Sequence, residues 1–102
     1  MDLVKKPSDC IDIEDVRLQI DAIDKKIIEL FSLRSEYVHE IVKFKTDEES
    51  VIAQNRKDLV VRLRGEWAEK AGLNRQTFEK IYLSLLNQNI CEELILLEKT
   101  KK

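Results

Sequence analysis

Residues 13–45 read IEDVRLQIDAIDKKIIELFSLRSEYVHEIVKFK. At helical spacing Ile13, Val16, Ile20, Ile23, Ile27, Phe31, Val38 and Ile41 share one stripe, and neither Gly nor Pro interrupts it. That pattern predicts one long amphipathic helix running to about Phe44 or Thr46. Two cations stand where the stripe calls for apolar residues. Arg34 occupies the turn between Phe31 and Val38, and Lys45 follows Ile41 by four. On a straight helix the two point the same way, about 16 Å apart along the axis. Long cationic side chains on an inner face are costly unless an anion meets them. Either Arg34 pairs with a core carboxylate while Lys45 snorkels at a helix end, or the two help to form a site for a small, multiply charged anion.

At about 33 residues such a helix is about 50 Å long, against a radius of gyration near 13 Å for a compact domain of this size. Either the helix breaks, with no Gly or Pro to break it, or a second copy of the chain covers the excess; the second is expected, so a homodimer is predicted. Upstream, residues 1–11 hold Pro7, the sole proline, and read as a flexible leader; Asp12 or Asp9 caps the helix, with Glu14 and Asp15 near its positive end. Downstream, Thr46–Ser50 is acidic and non-periodic and reads as a connection. A second helix follows from about Ser50 to Ala71, with Ile52, Leu59, Leu63 and Trp67 facing inward, Arg56 on the same stripe and Gly72 as its stop. A third, capped by Asn74 or Thr77, runs to about Glu98. Its inner face carries Phe78, Tyr82, Leu85 or Leu86, Asn89, Glu93 and Leu96. The expected architecture is therefore all-α, three helices per chain, with one helical domain over residues 12–98 and a short Lys-rich tail over 99–102.

Composition agrees. Of the 102 residues 37% are charged and 6% aromatic, with two Gly, which suits long helices better than a turn-rich sheet. The net charge of −2 and the lack of a dominant basic patch argue against nucleic acid as a partner. Cys10 and Cys91 fit neither a metal spacing nor a disulfide framework. No run has the length of a membrane span, and the opening residues lack a signal-peptide core, so a cytoplasmic protein is the default expectation.

The polar intrusions on the inner faces are Arg34, Lys45, Arg56 and Glu93, with Asn89 one turn before Glu93; every helix contributes. Three cations and one carboxylate suit a ligand with more than one carboxylate, since Arg meets that group with two parallel hydrogen bonds. The sequence offers no Ser–His–Asp set, no Cys–His pair and no Gly-rich phosphate loop, and no paired carboxylates call for a metal. His39 lies off the stripe and is read as a surface residue. Any catalysis is then expected to be electrostatic and to use no cofactor. Arg17 lies about 25 Å from Arg34 along the helix, too far to share a small ligand. It is either a surface partner of Asp21 at i+4, or a residue that reaches a partner's site in an antiparallel dimer.

Taken in order, Arg17-Leu-Gln-Ile-Asp21-Ala-Ile-Asp24, Ile28-Glu-Leu-Phe-Ser-Leu-Arg34, Val42-Lys-Phe-Lys45, Asn55-Arg56 and Ala71-Gly72-Leu73 resemble the all-α chorismate mutases over about residues 12–97. The resemblance implies an intertwined dimer with two shared sites. In each, Arg34, Lys45 and Arg56 come from one chain and Arg17 from the other. It implies that Arg17 and Arg34 hold the carboxylates of chorismate and that Lys45 donates to its ether oxygen. Two departures stand out. Many family members carry glutamine where this chain has Glu93; a glutamate there must be protonated to donate to the same oxygen. Many also follow the arginine equivalent to Arg56 with an acidic residue that binds the ring hydroxyl, where this chain has Lys57. The stretch Trp67-Ala-Glu-Lys-Ala-Gly-Leu73 looks like the isochorismate-pyruvate lyase branch, which forms salicylate and pyruvate. Three functions are thus in play: the mutase, with Lys45, Glu93 and Arg34 catalytic and Arg17, Arg56 and Asn89 binding substrate; the lyase; and a non-catalytic dimeric helical module, which has no need of inward charges from every helix.

Overall fold

The computed structural model describes residues 5–100. In order these form a 3-10 turn (Pro7–Asp9), α1 (Ile13–Glu40), a 3-10 segment (Ile41–Phe44), α2 (Glu48–Ile52), α3 (Gln54–Lys70) and α4 (Arg75–Thr100). The fold is all-α, as the periodicity predicts. Two compact units divide the chain after Glu36.

The first unit holds most of α1. Asp12 is the cap: its Oδ1 accepts the Asp15 N–H at 2.7 Å, with Glu14 and Asp15 in the first turn. Residues 5–11 fold back onto this turn. Lys5 Nζ donates to Asp15 Oδ2 at 2.9 Å, the Ile11 N–H reaches the same oxygen at 3.2 Å, and the Lys5 N–H donates to Gln19 Oε1 at 3.1 Å. No residue of α1 is buried within the single chain. Ile13, Val16, Ile20, Ile27 and Ile41, all on the predicted stripe, stay exposed, while Ile23, Phe31 and Val38 are half-buried.

The second unit builds a core of its own. α4 packs against α3, α2 and the 3-10 segment, and Val42, Val51 and Leu97 form a buried cluster flanked by Ile90, Leu94 and Leu96. Fully burying side chains of this kind contributes about 1.5–3 kcal/mol each. α3 ends as predicted: Gly72 takes φ +82°, the Gly72 N–H donates to the Glu69 carbonyl at 3.0 Å and the Leu73 N–H to the Ala68 carbonyl at 2.8 Å, the paired bonds of a Schellman stop. Asn74 Oδ1 then caps α4, accepting from the Thr77 N–H at 2.8 Å and the Thr77 hydroxyl at 3.0 Å.

Three expectations are corrected. The first helix is α-helical only to Glu40. It then tightens to 3-10 form over Ile41–Phe44, and Lys45 lies beyond it in extended backbone (φ −99°, ψ 138°), off the straight-helix geometry. The acidic stretch 46–50 is no mere connection: Asp47 starts α2 through a capping box with Ser50. The expected second helix is in fact two, because Ala53 adopts the left-handed conformation (φ 38°, ψ 61°). That choice costs a residue bearing a Cβ about 1 kcal/mol or more. The buried face of α3 is Val60, Gly65 and Ala68, while Ile52, Leu59 and Trp67 are exposed and Leu63 is half-buried. Small residues sit where α3 meets α4. A Cβ added at Gly65 would stand 2.6 Å from Glu79 Cγ.

Candidate functional site

Within the second unit, Asn89, Glu93 and Leu97 follow one another at i+4 on α4 and are all buried. Asn89 is 4% and Glu93 7% exposed, the two buried polar side chains among the described residues. Burying an amide and a carboxyl on an apolar face is tolerable only if both are satisfied, and no buried side-chain nitrogen or oxygen among those residues lacks a hydrogen-bond partner. Both sites were visible in the sequence as interruptions of an apolar stripe.

Lys45 is brought to the same core by its neighbours. Val42, three residues before it, and Val51, six after, both pack on Leu97, one turn past Glu93. The half-buried Lys45 side chain donates from Nζ to the Ser50 carbonyl at 2.5 Å. Ser50 therefore belongs to the site through its backbone, which no side-chain motif could have announced. Arg56 is corrected: it is exposed in the first turn of α3, on the same face as the exposed Leu59 and not on a buried stripe.

In the first unit, Arg34 is half-buried on α1. Arg17 is exposed and its guanidinium donates to Glu14 Oε1 at 2.9 Å, a partner one turn before it, where the sequence offers Asp21 one turn after. Two residues separate Arg17 from Asp15, about 200° around the helix, so the folded-back leader lies on the other side of α1 from Arg17.

His39 is exposed as expected, yet it is paired. Its Nε2 lies 2.6 Å from Glu92 Oε2, next to Glu93 in sequence. That hydrogen bond, with a second from Gln88, holds the Glu92 carboxyl below its usual range. Nothing in the sequence points to a contact between residues so far apart. Chemically, the second unit sets an ammonium, an amide and a carboxyl around a small apolar core. The first unit adds two guanidinium groups on a helix without a buried face.

Residues 16–94 match the family described as chorismate mutase type II. The chain belongs to that family, whose members are enzymes acting on chorismate-like small molecules. It is also 31% identical over 91 residues to the isochorismate pyruvate lyase of Pseudomonas aeruginosa, covering 89% of this chain and 90% of that protein. Among the described residues no helix is long and apolar enough to cross a membrane.

Proposed function

We propose that the protein catalyses the rearrangement of chorismate to prephenate, as a homodimer with two shared sites. The observation that carries this reading is the Asn89–Glu93 pair, buried on α4 beside the segment that presents Lys45. Chorismate breaks one C–O bond and makes one C–C bond within a single molecule, and no proton acceptor or nucleophile is required. A protein assists by holding a compact conformer and by aiming donors at the ether oxygen as it gains negative charge. Lys45 supplies the charged donor. A protonated Glu93 supplies the second, and Arg34 with Arg17 of a second chain holds the carboxylates. Arg56 and Asn89 complete the polar lining. Support for the dimer comes from α1, whose apolar stripe is left uncovered in one chain.

A second reading has its own support. The similarity to a lyase over nine-tenths of both chains, with Lys57 after Arg56 in place of an acid, favours isochorismate, cleaved to salicylate and pyruvate by the same kind of pocket. Purified protein offered chorismate and isochorismate separately, with prephenate and salicylate both followed, decides between them. Turnover of neither, in a folded dimer, would leave a binding module and overturn both readings.

A further inference from the structure

In an unbroken helix the Ser50 carbonyl would accept the Gln54 N–H, four residues on. Here the series ends at Ala53, whose own N–H still donates to the Glu49 carbonyl at 2.8 Å while its carbonyl takes the Lys57 N–H at 3.0 Å. The left-handed residue between α2 and α3 turns the chain away, and the Ser50 oxygen is met by Lys45 Nζ instead, at 2.5 Å. The α2 side of the break is fixed. Asp47 and Ser50 close the capping box on one side, through Ser50 N–H to Asp47 Oδ1 at 2.8 Å, and Val51 is buried against Leu97. The break is therefore held open by packing, at a residue with no glycine-like freedom.

We propose that Ala53 is a positioning residue: its left-handed conformation turns the Ser50 carbonyl over to Lys45 and so sets the direction of the ammonium. This rests on the functional reading above, in which Lys45 is the charged donor. A carbonyl suits the task better than a carboxylate would. It occupies one of three N–H donors and leaves two for substrate. It carries no net charge, so the ammonium keeps its full attraction for an oxygen that turns negative.

The test uses the full chain and two substitutions. Ala53→Gly accepts the left-handed conformation without strain, whereas Ala53→Val, β-branched, resists it and favours a continuous helix. Backbone amide exchange at Gln54, Asn55 and Arg56 reports whether the break persists, and the Lys45 ammonium proton signal reports its hydrogen bond. Ala53→Gly is expected to match the parent in all respects. Ala53→Val is expected to slow exchange at the three amides, lose the ammonium signal and lower kcat about tenfold with KM much less affected, the order of loss that small misplacements of a reacting group produce. If Ala53→Val does not fold, Ala53→Leu takes its place. An unchanged kcat once the break has healed, a fall in Ala53→Gly equal to that in Ala53→Val, or unaltered exchange in Ala53→Val would each overturn the proposal. A parent that turns over neither chorismate nor isochorismate sinks the functional reading instead, and exchange and ammonium signal still decide whether Ala53 positions Lys45.

Discussion

The two units treat their polar residues in opposite ways. In residues 37–100 the polar groups sit inside a core: Asn89 and Glu93 are buried, and the Lys45 ammonium is anchored on a carbonyl. In residues 5–36 the cations Arg17 and Arg34 ride a helix that buries nothing in the single chain. The second unit is prebuilt, and its side chains are held by their own surroundings. The first leaves an apolar stripe exposed, which the proposed dimer would cover. In the proposed dimer, reactive geometry belongs to the unit that has a core, and charge delivery to the unit that a second copy would cover.

Lys45→Ala should produce the largest loss. Removal of a donor that acts mainly in the transition state costs about 3–4 kcal/mol, seen as kcat falling about a hundredfold or more with little change in KM. Steady-state kinetics on the active substrate check it; a larger effect on KM than on kcat would reduce Lys45 to a substrate anchor. Next come the arginines. Arg17→Ala and Arg34→Ala should each lose about tenfold to a hundredfold in kcat/KM, the worth of a charge-assisted hydrogen bond. Mixing the two variants should restore activity, because a hybrid dimer holds one site with both arginines intact. A compact, active monomer in sedimentation would break the contrast between the units outright.

Glu93→Gln tests the prebuilt side more gently. An amide offers the same ether oxygen an N–H donor, so the variant should keep kcat within about tenfold of the parent in steady-state kinetics. A loss as large as that of Lys45→Ala would make Glu93 a structural member of the core. The smallest effect is expected at the leader. The hydrogen bond from Lys5, and then that from the Ile11 N–H, hold the Asp15 carboxyl below its ordinary value of 3.8. A carboxyl depressed on folding stabilises the protein above its unfolded pKa, and that contribution is lost as pH falls through the folded one. Asp15→Asn should thus lower Tm slightly at neutral pH, with the gap closing below about pH 3.8. A gap that persists in acid would show that packing, not charge, fastens the leader.

Much of the fold could be read from residues whose physics is local. Asn74 and Gly72 act through their own side chain or its absence, and Asp12 likewise, so helix starts and stops were legible. Asn89 and Glu93 were legible because a polar residue on an apolar stripe is conspicuous whatever it touches. Ala53 was not: alanine is the strongest helix former, and its left-handed turn accompanies the seating of Val51 against Leu97, a contact between residues far apart in sequence. The α3 face is a separate matter: Arg56 shares its stripe with the large Leu59, Leu63 and Trp67, while the buried face is Val60, Gly65 and Ala68, one residue away. Gly65 and Ala68, which let α3 approach α4, carry no hydrophobic signal. The His39–Glu92 bond likewise depends on where α4 lies, not on either residue's neighbours.

The Arg64 guanidinium stacks 4.4 Å from the ring of Trp67 and 5.7 Å from that of Tyr82. Trp67 is the sole tryptophan, and it is 55% exposed. Its emission is therefore an optical gauge of one place, the contact of α3 with α4. Unfolding followed by tryptophan fluorescence should register the loss of that stacked cation, while helical ellipticity weighs α1 as well. If two copies cover α1 as proposed, the two signals should part on dilution, with ellipticity falling before the indole emission shifts.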